Sequence, residues 1–597
     1  MFRNWFSFGL SLLCLAQPAA AVVEQKRVEI RLAADGHYQE ETWLEVRLEH
    51  RSEAESWAYV PIALDDNRQL EMAAGSILAA DGSRRRIEPA DSDTLDWSPE
   101  GVTHSSSRFR LLDFSAAEVG ETLSIHYRVR VAPYFPSGAS VLGESSDIER
   151  LSVDLGCASS RCRWALHGPA AALDSAETEW GVHLEGSLAG GSREPTLLRF
   201  GWGEQGSWSE VASWYAGLVA DLPASQEARD EAVVITTDVA SPRDRLAVLV
   251  GNVRRSVRYV AVEVGVGGFR PTPPAEVAAR RWGDCKDKAF LLLDQLAAVG
   301  VAAHPALILS ADDRRLEQDF PSPDQFNHLI VAVEESAVEG REGDPSAGGY
   351  LFVDPTLSAG GLRWLHPSTQ GQLALVVHPD GGELVATPVL PEQDVRRLEA
   401  VLTIDTAGSA HGTLALHVVG ARAQSLIAAA AQDGGEETAR AELRRWLPSA
   451  ELSDLAWGTG PPGGVPSLAV SAKVVLAGWL QAGASSLRLP GLAASPPASE
   501  LAEVEIVALK PRRVEAVWEL TFAATSCRPK TDATGLANSV GSFSQRFEPL
   551  PGGTRVIRSS QIDRRWLDTP ELRSAGLALA QAEHRALKRR VRFDCSP

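Results

Sequence analysis

The stretch Arg280–Gly300, "RRWGDCKDKAFLLLDQLAAVG", reads as a capped helix that starts on a cysteine. Asp284 has an N-cap side chain, Asp287 follows three residues on, and Gly300 falls where a C′ glycine closes a helix. Ala289, Leu292, Leu293, Leu296 and Val299 recur at helical spacing and define a buried face, with Cys285 one turn before Ala289 on that face. The thiol is thereby expected at the positive end of the helix dipole. That position favours the nucleophilic thiolate, whereas a cysteine in mid-helix is only a small apolar side chain.

Cysteine parity points to the same residue. The opening "MFRNWFSFGLSLLCLAQPAAAVVE" has Arg3, an apolar run and the cleavage-site pattern Ala19-Ala20-Ala21, so residues 1–21 are expected to be a signal peptide and the mature chain exported. Removing Cys14 with it leaves Cys157, Cys162, Cys285, Cys527 and Cys595. Cys157 and Cys162 flank a Ser-Ser turn and suit a local disulfide; zinc is the rival, but no second ligand pair accompanies them. Cys527 and Cys595 share the last segment and are the second candidate pair. Cys285 is left over, as a free reactive thiol or an intermolecular bridge.

At 597 residues the chain exceeds one hydrophobic core, and three domains are expected after the leader. Residues 22–201 read as β-rich: "RVEIRLAADGHYQEETWLEVRLEHR" alternates around Asp35-Gly36, and "LSIHYRVRVAP" and "RLSVDLGC" repeat the pattern, which implies an antiparallel sheet or sandwich. Residues 202–390 open with a capping box, Ser207 to Glu210, and an apolar stripe of Trp208, Val211, Trp214, Tyr215 and Leu218, read as core; helices then give way to strands, an α+β order. Residues 391–597 read as a hairpin, helical pieces, further strands and a closing helix from Thr569 to about Val591. The fold class is therefore multidomain α+β. A formal net charge of -20 excludes a general nucleic-acid binder, and no later stretch is apolar and long enough to span a bilayer. No metal, nucleotide or other cofactor motif appears.

Two strands downstream supply partners for the thiol. If "HLIVAVE" and "GYLFVD" pair around the polar insert of residues 336–349, a symmetric register sets His328 beside Asp354, Ile330 opposite Phe352 and Ala332 opposite Tyr350. Cysteine, histidine and a carboxylate that orients the histidine are the groups acyl transfer needs, and the Cys285 backbone N–H is a candidate oxyanion donor. Asp354 also suits a turn cap before Pro355. Lys286, Asp287 and Lys288 read as solvated charges at a helix start, and His304, His366 and His378 as structural.

"GDCKDKAFLLLDQLAAVGVAAHPALI", "FNHLIVAV" and "YLFVDPT", with "VRYV" upstream and "STQGQLALVV" downstream, resemble the bacterial transglutaminase-like superfamily. The flanking regions resemble the DUF3857-type domains of exported bacterial proteins. The resemblance implies a papain-like α+β core with nucleophile Cys285, base His328 and acid Asp354. It further implies action on a peptide or protein of the cell envelope, as peptidase, amidase or transglutaminase, with no cofactor. An aromatic side chain assists the oxyanion in related enzymes, for which Tyr259 and Trp282 are candidates; Asn327 is a candidate for positioning the histidine. The alternative is a non-catalytic envelope module with a vestigial core. Oligomeric state is left open.

Overall fold

The computed structural model describes residues 22–597 apart from 88–93, 97–101, 144–145, 159–160, 169–172, 191–194, 204–205, 264, 358–359, 462–463, 481–485, 492, 503–506, 524–525 and 597. The expected leader, residues 1–21, lies outside the described residues. The protein is multidomain α+β, with two large β-sheets flanking a helix-and-sheet centre.

The first large sheet has eight strands. Val23–Leu32 and Tyr38–Arg47 form the hairpin expected around Asp35-Gly36, with Gly36 at φ 85° where a residue bearing a Cβ is strained. One pairing departs from the antiparallel expectation: Val23–Leu32 also runs parallel to Ile148–Cys157. More than a hundred residues separate the two in sequence, long enough for the crossover that parallel pairing requires. A second eight-stranded sheet lies near the C-terminus and repeats the device, with Val395–Ile404 parallel to Arg512–Phe522. In both sheets inward residues such as Val28, Ile30 and Leu32, or Leu398, Ala400 and Leu402, are buried and alternate with more exposed ones, the pattern of a sheet packed on one face.

The closing helix is Pro570–Lys588, capped by Thr569, and ends before Val591. Residues Val591–Ser596 instead form a strand against Ser526–Pro529. The alternation of Val591 and Phe593, both buried, against Arg592 and Asp594 favours a strand, and the helix pattern stops short of it.

Between the flanks a six-stranded antiparallel sheet carries Ala303–Ile308, His328–Glu334, Ser346–Ala347, Tyr350–Val353, Leu373–His378 and Gly381–Ala386. Both of its faces are buried. Leu307, Leu329, Val331, Val333, Leu351 and Val353 pack towards the helices. Ile308, Ile330, Ala332, Phe352 and Val376 form a second cluster. That explains why these strands read as continuous apolar runs. The helices are Trp208–Val219, Gln226–Ile235, Pro242–Ser256, Pro274–Arg280 and the cysteine helix, Cys285–Ala298.

The register of the histidine and aspartate strands differs from the symmetric one by two residues: Val331 opposes Val353, Ala332 opposes Phe352 and Glu334 opposes Tyr350. The cause lies in the insert. Gly348 and Gly349, at φ 60° and 84°, close a tight turn between Ser346–Ala347 and Tyr350–Leu351, so the aspartate strand makes its hairpin there. The chain reaches that turn through a short helix, Glu335–Val338. A slip of two keeps every side chain on its own face.

Candidate active site

The cysteine helix is capped as its sequence predicts. Asp284 accepts from the Asp287 N–H at 3.2 Å while the Asp287 carboxylate accepts from the Asp284 N–H at 3.3 Å. Gly283 precedes the cap because a Cβ there would meet Asp287 Cβ at 2.6 Å. Ala289, Leu292 and Leu296 are fully buried.

The charges at this helix start are buried, against the expectation of a solvated face: Lys286, Asp287 and Lys288 are at most 6% exposed. Each has its own partner. Lys286 donates to the Asp284 carboxylate and to the Val262 carbonyl. Asp287 accepts from Arg280 at 2.6 Å and from the Thr272 N–H at 2.7 Å, and Lys288 donates to the Val257 carbonyl at 2.8 Å. The helix start is covered by the segments around Val257–Val262 and Thr272–Arg280, so tertiary packing decides its exposure. Burial pulls Lys288 down to about 8, against the opposing attraction of Asp354.

His328 begins its strand and Asp354 directly follows the last residue of its own. Continued in the observed register, Asp354 would oppose Ile330, diagonal to His328 on the same face, and the two side chains meet at 2.9 Å between His328 Nε2 and Asp354 Oδ2. The other Asp354 oxygen accepts from the Thr356 N–H at 2.8 Å and hydroxyl at 2.6 Å. Asp354 thus caps the turn and orients the histidine together. Cys285, the free cysteine among the described residues, lines the same cleft as His328, where its charge bears on the imidazole. The structure therefore groups Cys285 and His328 in one cleft, with Asp354 hydrogen-bonded to the histidine.

The electrostatics follow from that grouping. Burial disfavours the imidazolium, but Asp354 and Cys285 outweigh it and push His328 up to about 10. Burial likewise disfavours the Asp354 carboxylate, yet His328 and Thr356 hold it well below the usual carboxylate range. Behind the pair, Arg254 donates to the Asp354 carbonyl, at 2.6 Å from one guanidinium nitrogen, and to the Gly360 carbonyl. His366 nearby stays neutral, drawn down to about 4 by burial.

Tyr259 lines the same cleft as Cys285 and His328, with Phe269, Pro323 and Phe326. Trp282 does not line it; it lies under the Arg280 guanidinium, 3.8 Å from ring centroid to carbon, and its segment pairs with Arg258. Asn327 lines the cleft and also holds the chain before His328, its amide accepting from the Ser310 N–H at 2.7 Å and donating to the Ser310 carbonyl at 3.1 Å. The sequence pattern places Tyr215 in an apolar core stripe. It is 1% exposed, lines the cleft, and its buried hydroxyl has no hydrogen-bond partner among the described residues. Burial raises it well above its ordinary value, so it remains a donor.

Both flanks grip the loop that leads into His328. Arg199 of the N-terminal region binds Glu317 at 2.6 Å and Asp324 at 2.7 Å. From the C-terminal side the buried Arg565 donates to the carbonyls of Ala311 and Pro367.

Away from the cleft, Cys157 and Cys162 form a disulfide. Cys527 is disulfide-bonded and stands opposite Cys595 in its ladder; of Cys595 only the backbone is described. Among the described residues no cluster of His, Cys, Asp and Glu suits a metal ion, and no helix is long and apolar enough to cross a membrane.

No family model and no curated protein matches the chain. Among solved structures, a Parabacteroides distasonis protein described as a "putative protease" aligns over 96% of this chain and 100% of its own, with a TM-score of 0.59 and 14% identity. The likeness is one of fold. A "putative cysteine protease" from Cytophaga hutchinsonii aligns over 59% of this chain and 81% of its own at 10% identity, with a TM-score of 0.17, too low to carry an argument.

Proposed function

We propose that this protein is an exported cysteine acyl-transfer enzyme of the transglutaminase-like kind, acting on peptide or protein amide bonds in the cell envelope. The observation that carries the reading is the His328–Asp354 hydrogen bond in the cleft that also holds Cys285, at the start of a capped helix. Cys285 Sγ attacks the amide carbonyl, an S–C bond forms, and the C–N bond breaks as His328 delivers its proton to the departing amine. Water or a second amine then attacks the thioester, releasing the thiolate and returning the proton to His328. The oxyanion is met by the Cys285 N–H and by the Tyr215 hydroxyl, whose lack of a partner leaves it free for a developing charge. In this reading residues 22–201 and 391–597 are separate β-rich domains around a core of residues 202–390. The Cys157–Cys162 disulfide supports export, since such bonds persist in oxidising compartments.

The test uses p-nitrophenyl acetate with the protein expressed without residues 1–21. A burst of nitrophenolate and an acetyl adduct on Cys285, seen by intact mass and absent from Cys285→Ala, are expected. Adding glycine methyl ester then separates transfer from hydrolysis by its product. No adduct on Cys285 contradicts the enzyme reading and leaves a binding module with a vestigial core.

A further inference from the structure

A second groove lies between the N-terminal β region and the core, and it shares Phe269 and Pro323 with the Cys285 cleft. Two open sheet edges wall it. Tyr59–Leu64 and Ser137–Gly143 are each the outermost strand of a three-stranded sheet, and Ile62, Ala63, Gly138 and Ala139 line the groove. Arg68 takes the Ala63 carbonyl and Lys26 the Val141 carbonyl, and no further strand of the described residues pairs on either outer side. Such edges are templates for an extended chain.

The lining is also polar in a directed way. Tyr38 is 5% exposed, lies with its ring against Phe200, and lines the groove. Burial raises its titration, so it stays a donor. Four carboxylates line the groove against two guanidinium groups. Glu40 is matched by Arg68 at 3.0 Å and Asp324 by Arg199 at 2.7 Å. Asp65 gives one oxygen to the N–H groups of Asn67 and Arg68, while the nearest cation to Asp66, Arg108, is 4.0 Å away. The surplus is negative.

We infer that this groove binds an extended segment of a polypeptide substrate carrying lysine or arginine, and delivers it to Cys285. Main-chain groups pair with the open edges, the Tyr38 hydroxyl donates to a substrate carbonyl, and Asp66 meets the cation. The inference rests on the acyl-transfer reading for the word substrate, but binding is tested without catalysis.

The probe is a fluorescent dodecapeptide of alternating lysine and phenylalanine, with a glutamate counterpart, titrated against Cys285→Ala by anisotropy. The lysine peptide is expected to bind at least about tenfold more tightly than the glutamate one, and Asp66→Asn and Tyr38→Phe each to weaken it several-fold with unchanged thermal midpoints. In the wild type it is expected to slow alkylation of Cys285 by iodoacetamide. Equal binding of both peptides, or affinity indifferent to both substitutions, overturns the groove. Binding that leaves alkylation unaffected overturns delivery to Cys285. A failed acetylation test with intact peptide binding would sink the enzyme reading and leave the groove as a peptide site.

Discussion

The strand faces of the flanking sheets and the start of the cysteine helix treat charge differently, although the flanks too bury single charges such as Glu40, Arg558 and Glu583. In the flanks, strands alternate buried aliphatic and solvated polar residues, and ion pairs such as Arg27–Glu29 and Arg397–Glu399 stay half-exposed. Such pairs contribute little to stability. In the core, Asp284, Lys286, Asp287, Lys288, His328 and Asp354 are buried or nearly so within one small volume. Burying ionised groups costs more than their pairing usually returns, so such a cluster is kept for chemistry or specificity. On the proposed reading the helix start carries the chemistry and the flanking sheets carry none of it.

Four substitutions or conditions sharpen that contrast, taken from the largest effect down. Asp354→Asn leaves the shape of the core but removes the charge that orients His328; acetylation of Cys285 should fall by about 10³-fold, read from the nitrophenolate burst. A loss below about tenfold would make Asp354 a turn cap alone. Phe200→Ala, in the N-terminal core, should cost about 3–5 kcal/mol of stability in denaturant titration while folded protein keeps its labelling rate at Cys285. A matching loss of labelling would dissolve the division between scaffold and site.

The third is a pH effect. Folding raises His328 from its ordinary value to about 10, so the folded protein holds that proton more tightly than the unfolded chain. Its contribution is complete below about pH 6.5 and is lost as pH rises towards 10, on the order of 2 kcal/mol after allowance for relaxation of the site. Thermal midpoints measured from pH 6 to 10 should fall in the wild type and flatten in His328→Gln. The smallest effect is expected from Tyr215→Phe: acetylation by p-nitrophenyl acetate about tenfold slower, alkylation by iodoacetamide unchanged, and no loss of thermal midpoint, because the phenylalanine removes an unpaired buried hydroxyl. Equal rates with both reagents would return Tyr215 to the core.

How much of this is legible in the sequence follows from the range of the forces involved. The cysteine helix is legible because its caps, Asp284, Asp287 and Gly300, and its apolar face are all local. The pairing of His328 with Asp354 is legible in outline, since hydrophobic runs mark the strands, but the register is set by Gly348-Gly349 inside the insert and differs by two. Burial of Lys286, Asp287 and Lys288 is not legible, because the segments that cover them are packed by the tertiary fold. Tyr215 is hidden for the converse reason: it sits in an apolar helical stripe, and only the fold brings it to the cleft that holds Cys285. Trp282, adjacent to the motif, was the more obvious aromatic and lies beside Arg280 instead.

The central claim is that Cys285 is activated by the His328–Asp354 pair. Its most direct test is the second-order rate of iodoacetamide labelling at pH 6 to 7, with sites assigned by mass, in the wild type, Cys285→Ala and His328→Ala. The account predicts fast labelling confined to Cys285, lost in the first variant and slowed at least about tenfold in the second. Labelling at the rate of a free thiol and indifferent to His328 would contradict it.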